Sequence, residues 1–219
     1  SAETTEGKVT VAAAVAVDAW NDETVARVSG DTTSTGKLEV AALAHNDVTV
    51  KANASSTLST NGVGVSVAIL VGNLVNRAEI SGTHQNAYFL VRAGMPTGSD
   101  GKETTNNIEV ISISGAGASN VGVAGAVAIN IFNTAYTANV NGNLTATGSR
   151  DSSVTAKVNQ KMITKAGASA GLEGAESGSN GSTGNGSNNG SSAGGSNKSV
   201  GVGASFGLTI ADTTAEAKV

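Results

Sequence analysis

The sequence contains no cysteine, a single proline and few aromatic residues. Without cysteine the chain can form neither disulfides nor thiolate metal sites, and it has no catalytic thiol. Aromatic residues make up 3% of the chain, whereas glycine occupies 29 positions. Because a conventional globular core depends on large side chains, this composition argues against one. Hydrophobic residues still reach 39%, which predicts a thin core of Val, Ala and Ile rather than a disordered chain.

Concentrated positive charge and long apolar runs are also missing. The net charge is −4, and no basic patch interleaved with aromatic residues occurs, so we predict no nucleic-acid partner. The apolar run Val63–Val71 falls far short of the roughly 20 residues of a spanning helix, which predicts no membrane-spanning segment. The chain begins and ends inside patterned sequence, and we expect it to be a piece of a longer protein.

One segment recurs four times. The copies, which align without gaps, are Val15–Val28, Val67–Ile80, Val127–Val140 and Phe206–Val219. Two columns of this alignment are predicted to stack as ladders along the repeat axis: an aliphatic column of Val17, Ile69, Ile129 and Leu208, and an amide column of Asn21, Asn73, Asn133 and Asp212. Such repeats cannot bury their strands alone, because each unit needs its neighbours.

The repeats predict a single array rather than separate domains. Its units cover about 8–58, 59–118, 119–172 and 199–219. The segment 173–198 lies between the third and fourth units and is dominated by Gly, Ser and Asn. This composition predicts a flexible loop.

The strands alternate large and small apolar residues. Val65 and Val67 share one face by the two-residue period of a strand, whereas Gly64 and Ser66 share the other. Since the second face carries little larger than Ala, we expect another layer close to it, with strands buried on both faces. The predicted fold is all-β, a repeat β-solenoid of the parallel β-helix type. The alternative is an array of antiparallel β-sandwich-like repeats.

Two motifs carry a resemblance to a known family: GVGVSVAILVGNLVNRAEISG and VGVAGAVAINIFNTAYTANVNGNLTATG. They resemble the repeats of leukotoxin-like filamentous adhesins, giant secreted proteins of Gram-negative bacteria that are similar in plan to filamentous haemagglutinins and autotransporter passengers. The resemblance implies export to the bacterial cell surface, a β-helical shaft, and a receptor or glycan on a host or neighbouring cell as partner. It supplies no catalytic motif.

No catalytic, cofactor or metal site is predicted. His45 and His84 lie in different units, without a second ligand at metal spacing. The carboxylates near the first turn, Asp18, Asp22, Glu23 and Asp31, have neutral counterparts in other copies and are interpreted as a solvated turn. Binding residues are expected in the variable loop 83–107, at Tyr88, Phe89 and Met95, and in the insert 173–198, because loops that project from a rigid scaffold commonly carry them.

These observations predict a non-enzymatic shaft segment of a secreted adhesin or filament that attaches to cells through projecting loops. Three alternatives stay open. The chain could be the host-cell-binding region of a leukotoxin-type toxin, a subunit of an extracellular fibre that associates end to end, or a β-helical enzyme acting on polysaccharide.

Overall fold

A computed structural model describes residues 1–170 and 200–219, all of them in strands or the connections between strands. The strands are β1 (Ala2–Ser29), β2 (Thr32–Thr33), β3 (Lys37–Leu43), β4 (Asp47–Asn86), β5 (Tyr88–Gly94), β6 (Asn106–Ala146), β7 (Ser153–Ala156), β8 (Gln160–Ser169) and β9 (Val200–Lys218). The predicted loop 173–198 lies outside the described residues.

The chain winds as a parallel β-solenoid. One sheet places β1, β4 and β6 side by side, with β2 on β4 and both β8 and β9 on β6, and a second sheet contains β3, β5 and β7. Every pairing between these strands is parallel. The all-β solenoid prediction is therefore confirmed, and the antiparallel sandwich alternative is wrong.

The register between coils is regular even though the coils differ in length. Ala2 pairs with Ala54 at an offset of 52 residues, and Lys37 pairs with Tyr88 at an offset of 51. From Asp47, which pairs with Asn107, the offset becomes 60. The nine additional residues (60 − 51 = 9) lie after Gly94, in the connection to β6. Length differences are thus absorbed between strands, while the strands stay aligned.

Each coil is flattened into two facing layers. The chain bends near residues 57–61, where the β4–β6 register shifts, and then returns across the core. Direct contacts join the layers: the hydroxyl oxygens of Ser66 and Ser112 are 2.7 Å apart, and those of Thr164 and Thr209 are 2.6 Å apart. Further along the coil, Asn76 Nδ2 donates to the Gly94 carbonyl at 3.2 Å, which places β5 opposite the second half of the long strand.

The core between the layers is tapered. At its narrow end, a Cβ added to Gly64 would lie 2.9 Å from the Gly115 carbonyl carbon and closer still to the oxygen, so only very small residues fit there. At its wide end, Leu74, Phe132 and Tyr136 are fully buried. The small-residue face of the repeats therefore points into the core, and residue size follows the width of the gap.

The large aliphatic face points outward, contrary to the expectation that both faces are buried. Val15 is 72% exposed and Val71 is 47% exposed. The physical reason is the narrow gap, since a layer separation that brings Gly64 against Gly115 leaves no space for valine. The prediction of a close layer was right for the small-residue face and wrong for the valine face.

An aromatic pair spans three coils at the wide end. The rings of Trp20 and Phe132 are stacked, with centroids 5.7 Å apart and an interplanar angle of 21°. The coil between them contributes Gly72 at the same register position. Because Gly72 lacks a side chain, Phe132 can reach across that coil to Trp20.

One buried polar residue gives a stability prediction. Asn130 is fully buried, and neither of its amide atoms has a hydrogen-bond partner among residues 1–170 and 200–219. Its register partner, Leu70, is equally buried. Asn130→Leu is therefore expected to raise the free energy of unfolding by about 1–3 kcal/mol, because it removes a desolvated amide. Chemical denaturation followed by circular dichroism measures the change.

The matched control is Asn133→Leu, on the outward face of the same strand. Asn133 Nδ2 donates to Asn73 Oδ1 at 2.8 Å, so this variant loses a made hydrogen bond and gains no stability. Equal effects of the two substitutions would contradict the interpretation of Asn130.

Candidate interaction surface

The outward side of the first sheet carries an apolar surface six columns long and four strands wide. We call it the apolar face. All of its residues lie within the ranges 1–170 and 200–219 that the structure describes. Its members are Val9, Val11, Ala13, Val15, Val17 and Ala19 in β1; Asn61, Val63, Val65, Val67, Ile69 and Val71 in β4; Val121, Val123, Gly125, Val127, Ile129 and Ile131 in β6; and Val200, Val202, Ala204, Phe206, Leu208 and Ile210 in β9. Asn61 is the one polar member among them.

Most residues of the apolar face are exposed to solvent, and the others are half-buried. Its exposed large side chains are Val9, Val11, Val15, Val17, Val65, Val71, Val121, Val123, Ile131, Val200, Val202, Phe206 and Ile210. Single exposed hydrophobic residues are normal on proteins, but a contiguous apolar patch of this kind marks an interaction site.

The aliphatic column of the repeat lies within this face. Val17 pairs with Ile69, Ile69 with Ile129, and Ile129 with Leu208. The four side chains share one register position on the outward side of the sheet. Val17 is 64% exposed, and Ile69, Ile129 and Leu208 are half-buried. The structure therefore brings the column together at the surface and not in the core.

The amide column borders the apolar face. Asn73 Nδ2 donates to Asn21 Oδ1 at 2.7 Å, and Asn133 Nδ2 donates to Asn73 Oδ1 at 2.8 Å. Asp212 is paired with Asn133 in the register. The side chains of neighbouring coils thus form a hydrogen-bonded row across the sheet, which fixes the edge of the apolar face.

Beyond this row, the outward side of β1 and β4 becomes charged. Arg27 forms an ion pair with Glu79, and Arg77 lies 3.6 Å from Glu79 and 3.9 Å from Glu23. These residues are exposed or half-buried. One sheet surface is therefore divided into an apolar half and a charged half, with the amide row between them.

The three predicted binding residues do not lie together in a projecting loop. Tyr88 and Phe89 belong to β5, and Phe89 is only 1% exposed. Met95 is 5% exposed, and its Sδ accepts a hydrogen bond from the Tyr136 hydroxyl at 3.4 Å. Tyr88 is half-buried, with the Arg150 guanidinium 5.5 Å from its ring centroid. Phe89 and Met95 are thus core residues, because β5 closes the wide end of the core.

A shorter loop does project, at residues 96–104. It is ordered by its own hydrogen bonds: Gly98 N donates to the Lys102 carbonyl at 2.7 Å, and Thr104 N donates to the Pro96 carbonyl at 2.9 Å. Its tip, residues 99–103, is exposed. The tip presents the polar side chains of Ser99, Asp100, Lys102 and Glu103 to solvent.

The ionisable residues take structural roles. His84 is buried and hydrogen-bonded to Thr32 Oγ1 at 2.8 Å and to the Ser81 carbonyl at 3.1 Å. His45 Nε2 lies 3.1 Å from the Thr105 carbonyl oxygen. Within the described ranges, no three His, Asp or Glu side chains are placed to hold a metal ion. These ranges also contain no helix that could span a membrane.

Shifted pKa values follow local hydrogen bonds and burial. The side-chain amide of Asn107 donates to Asp47 Oδ1 at 2.9 Å and holds the pKa of that carboxyl below its usual value. Lys37 and Arg92 lower the pKa of the Glu39 carboxyl in the same way. Burial raises the pKa of the Tyr136 phenol, although its hydrogen bond from Asn106 acts in the opposite direction. These groups lie apart from the apolar face.

Comparison with known protein families, curated proteins and solved structures finds no match to this chain. The apolar face, the amide row and the projecting loop 96–104 are therefore interpreted from their own chemistry.

Proposed function

We propose that the chain is a non-enzymatic segment of the shaft of a large secreted bacterial adhesin or filament, located at the cell surface. The parallel register supports this proposal, because equivalent positions pair from β1 through β4 and β6 to β9. Each coil offers the next one a full row of backbone donors and acceptors, so an array of this kind extends along one axis while its stacked strands stay in register.

The projecting loop 96–104 suits attachment to a receptor or glycan on a host or neighbouring cell. It connects the end of β5 to the start of β6, is held by internal hydrogen bonds and presents a polar tip. A rigid loop loses little conformational freedom when it binds, which favours affinity. In this proposal the stacked coils supply length and stiffness, and the loop supplies contact.

The location is tested by antibody labelling. Antibodies raised against the purified chain are expected to label intact, unpermeabilised cells of the organism that produces it, and brief protease treatment of those cells is expected to remove the label. Labelling that appears only after permeabilisation would contradict a surface location.

Attachment is tested with beads that carry the purified chain. The variant Ser99→Ala/Lys102→Ala, at the loop tip, is expected to weaken bead binding to epithelial cells by at least about fivefold, as truncation of a contact residue does. Lys51→Ala is the control, because Lys51 is an exposed lysine on a strand rather than in the loop. Equal binding of all three proteins would show that the loop is not the contact.

A further inference from the structure

The apolar face has the size, shape and charge of an interface between two identical sheets. We propose that it packs against the apolar face of a second copy of this chain, giving a dimer related by a two-fold axis. This inference goes beyond the proposed function, since it concerns lateral pairing of two solenoids rather than length or attachment.

The area of the face is sufficient for a stable dimer. Strands lie about 4.8 Å apart and rise about 3.3 Å per residue, so four strands of eleven residues cover roughly 19 Å by 36 Å, or about 700 Å² before side-chain relief is counted. A stable interface buries about 600–1,000 Å² on each partner, whereas the largest apolar patch of a typical monomer covers about 300–600 Å². The apolar face therefore lies in the range of interfaces.

The relief of the face is suited to a copy of itself. In three of its four strands the third column is smaller than the adjacent fourth column, with Ala13 beside Val15, Gly125 beside Val127 and Ala204 beside Phe206, whereas Val65 and Val67 in β4 are equal in size. A shallow groove thus runs across the strands next to a ridge and is interrupted at β4. A two-fold axis places the ridge of one copy opposite the groove of the other, as an isologous interface requires. Two such sheets pack about 10 Å apart.

The charge distribution favours an apolar, uncharged partner. The face contains no ionisable side chain, and the amide row and the Arg77 and Glu79 side chains lie beyond one end of it. At the other end, Asn120 Nδ2 donates to Asn61 Oδ1 at 3.4 Å, which gives this border a polar contact. An apolar centre with a polar rim is the usual anatomy of a protein interface. A second copy presents the same neutral centre and the same rim.

This pairing differs from end-to-end association. End-to-end contacts would use the backbone groups along the outer edges of β1 and β9. The proposed dimer instead uses side chains on the sheet surface and leaves those edges unchanged. Substitutions of outward side chains therefore distinguish the two arrangements.

The test is sedimentation velocity of the full chain at concentrations from 1 to about 100 µM, a range that covers weak dimers. The test variant is Val65→Glu/Val71→Glu, two exposed positions in β4, one of the two central strands of the face. The control is Val25→Glu, because Val25 is 47% exposed, as Val71 is, but lies on the charged half of the surface. Circular dichroism melting of each protein reports whether it is folded.

The unsubstituted chain and Val25→Glu are expected to sediment as dimers. The double variant is expected to be monomeric and folded, with dimerisation weakened at least about 100-fold, because each two-fold interface would bury four unpaired carboxylates. Two sedimentation results would overturn the proposal: an unsubstituted chain that is monomeric at about 100 µM, or a dimer that persists in the double variant. A monomer that floats with phosphatidylcholine vesicles would also overturn it and would assign the face to lipid. None of them bears on surface location or loop binding.

Discussion

The variant Gly64→Ala is expected to lose the folded structure, or to lose at least about 3 kcal/mol of its free energy of unfolding. The added Cβ would lie 2.9 Å from the Gly115 carbonyl carbon and 3.2 Å from its nitrogen, and nearer still to the oxygen. These are backbone atoms of the facing layer, so no side-chain rotation relieves the contact. The layers would have to separate along the narrow end of the core, which costs more than ordinary overpacking. Urea denaturation monitored by circular dichroism measures the loss.

Gly125→Ala is the matched control for this substitution. Gly125 also lies in a long strand of the first sheet, but a Cβ there would have no atom within 4 Å. Its stability is expected to stay the same or to rise by up to about 1 kcal/mol, because alanine restricts the unfolded chain. If Gly64→Ala and Gly125→Ala had the same stability, the narrow gap between the layers would be refuted.

The variant Gly72→Ala is expected to lower the free energy of unfolding by about 2 kcal/mol. A Cβ at this position would meet the edge of the Phe132 ring, whose Cζ lies 3.2 Å away and whose Cδ2 and Cε2 lie closer. Phe132 is fully buried and stacked on Trp20, so the ring cannot move aside without losing that contact. Thermal unfolding followed by tryptophan fluorescence measures the change, because Trp20 is the single tryptophan of the chain.

A double-mutant cycle separates this effect from general disturbance of the strand. Phe132→Ala alone is expected to cost about 3–5 kcal/mol, because it leaves a cavity. The double variant Gly72→Ala/Phe132→Ala is expected to be at least about 1 kcal/mol more stable than the sum of the two single effects, since the new methyl group then occupies the vacated space. Strict additivity would show that the ring and the glycine do not share that space.

The alignment of the repeats predicts which residues pair between neighbouring strands of the sheet. Residues that share a column in the sequence, such as Val28 and Ile80, are partners in the structure. The reason is physical: parallel stacking of coils places equivalent residues at one height, so a gapless alignment of copies is also a list of strand partners. The all-β parallel fold could be predicted for the same reason.

The orientation of the strands could not be predicted from hydrophobicity alone. Val65 and Val67 were expected in the interior, yet the interior is too narrow there for any residue larger than alanine or serine. A signal for the correct orientation was present further along the same strand. Continuing the two-residue period from Val71 places Arg77 and Glu79 on the valine face, and charged residues that alternate with Ala78 and Ile80 belong outside.

Phe89 and Met95 are buried, whereas the sequence predicts one variable loop over residues 83–107. It contains a short strand whose alternation, Phe89, Val91 and Ala93, is buried against the wide end of the core. The sequence does carry a short signal for this strand, because the pattern Val-x-Ala recurs in β3, β5 and β7, where Val40 pairs with Val91 and Val91 with Val154. Of the predicted loop 83–107, only residues 96–104 project from the fold.

The change of offset between coils has a consequence for how such a gene can diverge. Codons gained or lost between Gly94 and Asn107 alter the length of a coil without moving any residue of the stacked columns. A single codon inserted between Val63 and Val71 would instead turn every later side chain of that strand to the opposite side, placing valine at inward positions that now hold serine or alanine. Natural variants should therefore differ in length at the corners and keep the strands at constant length.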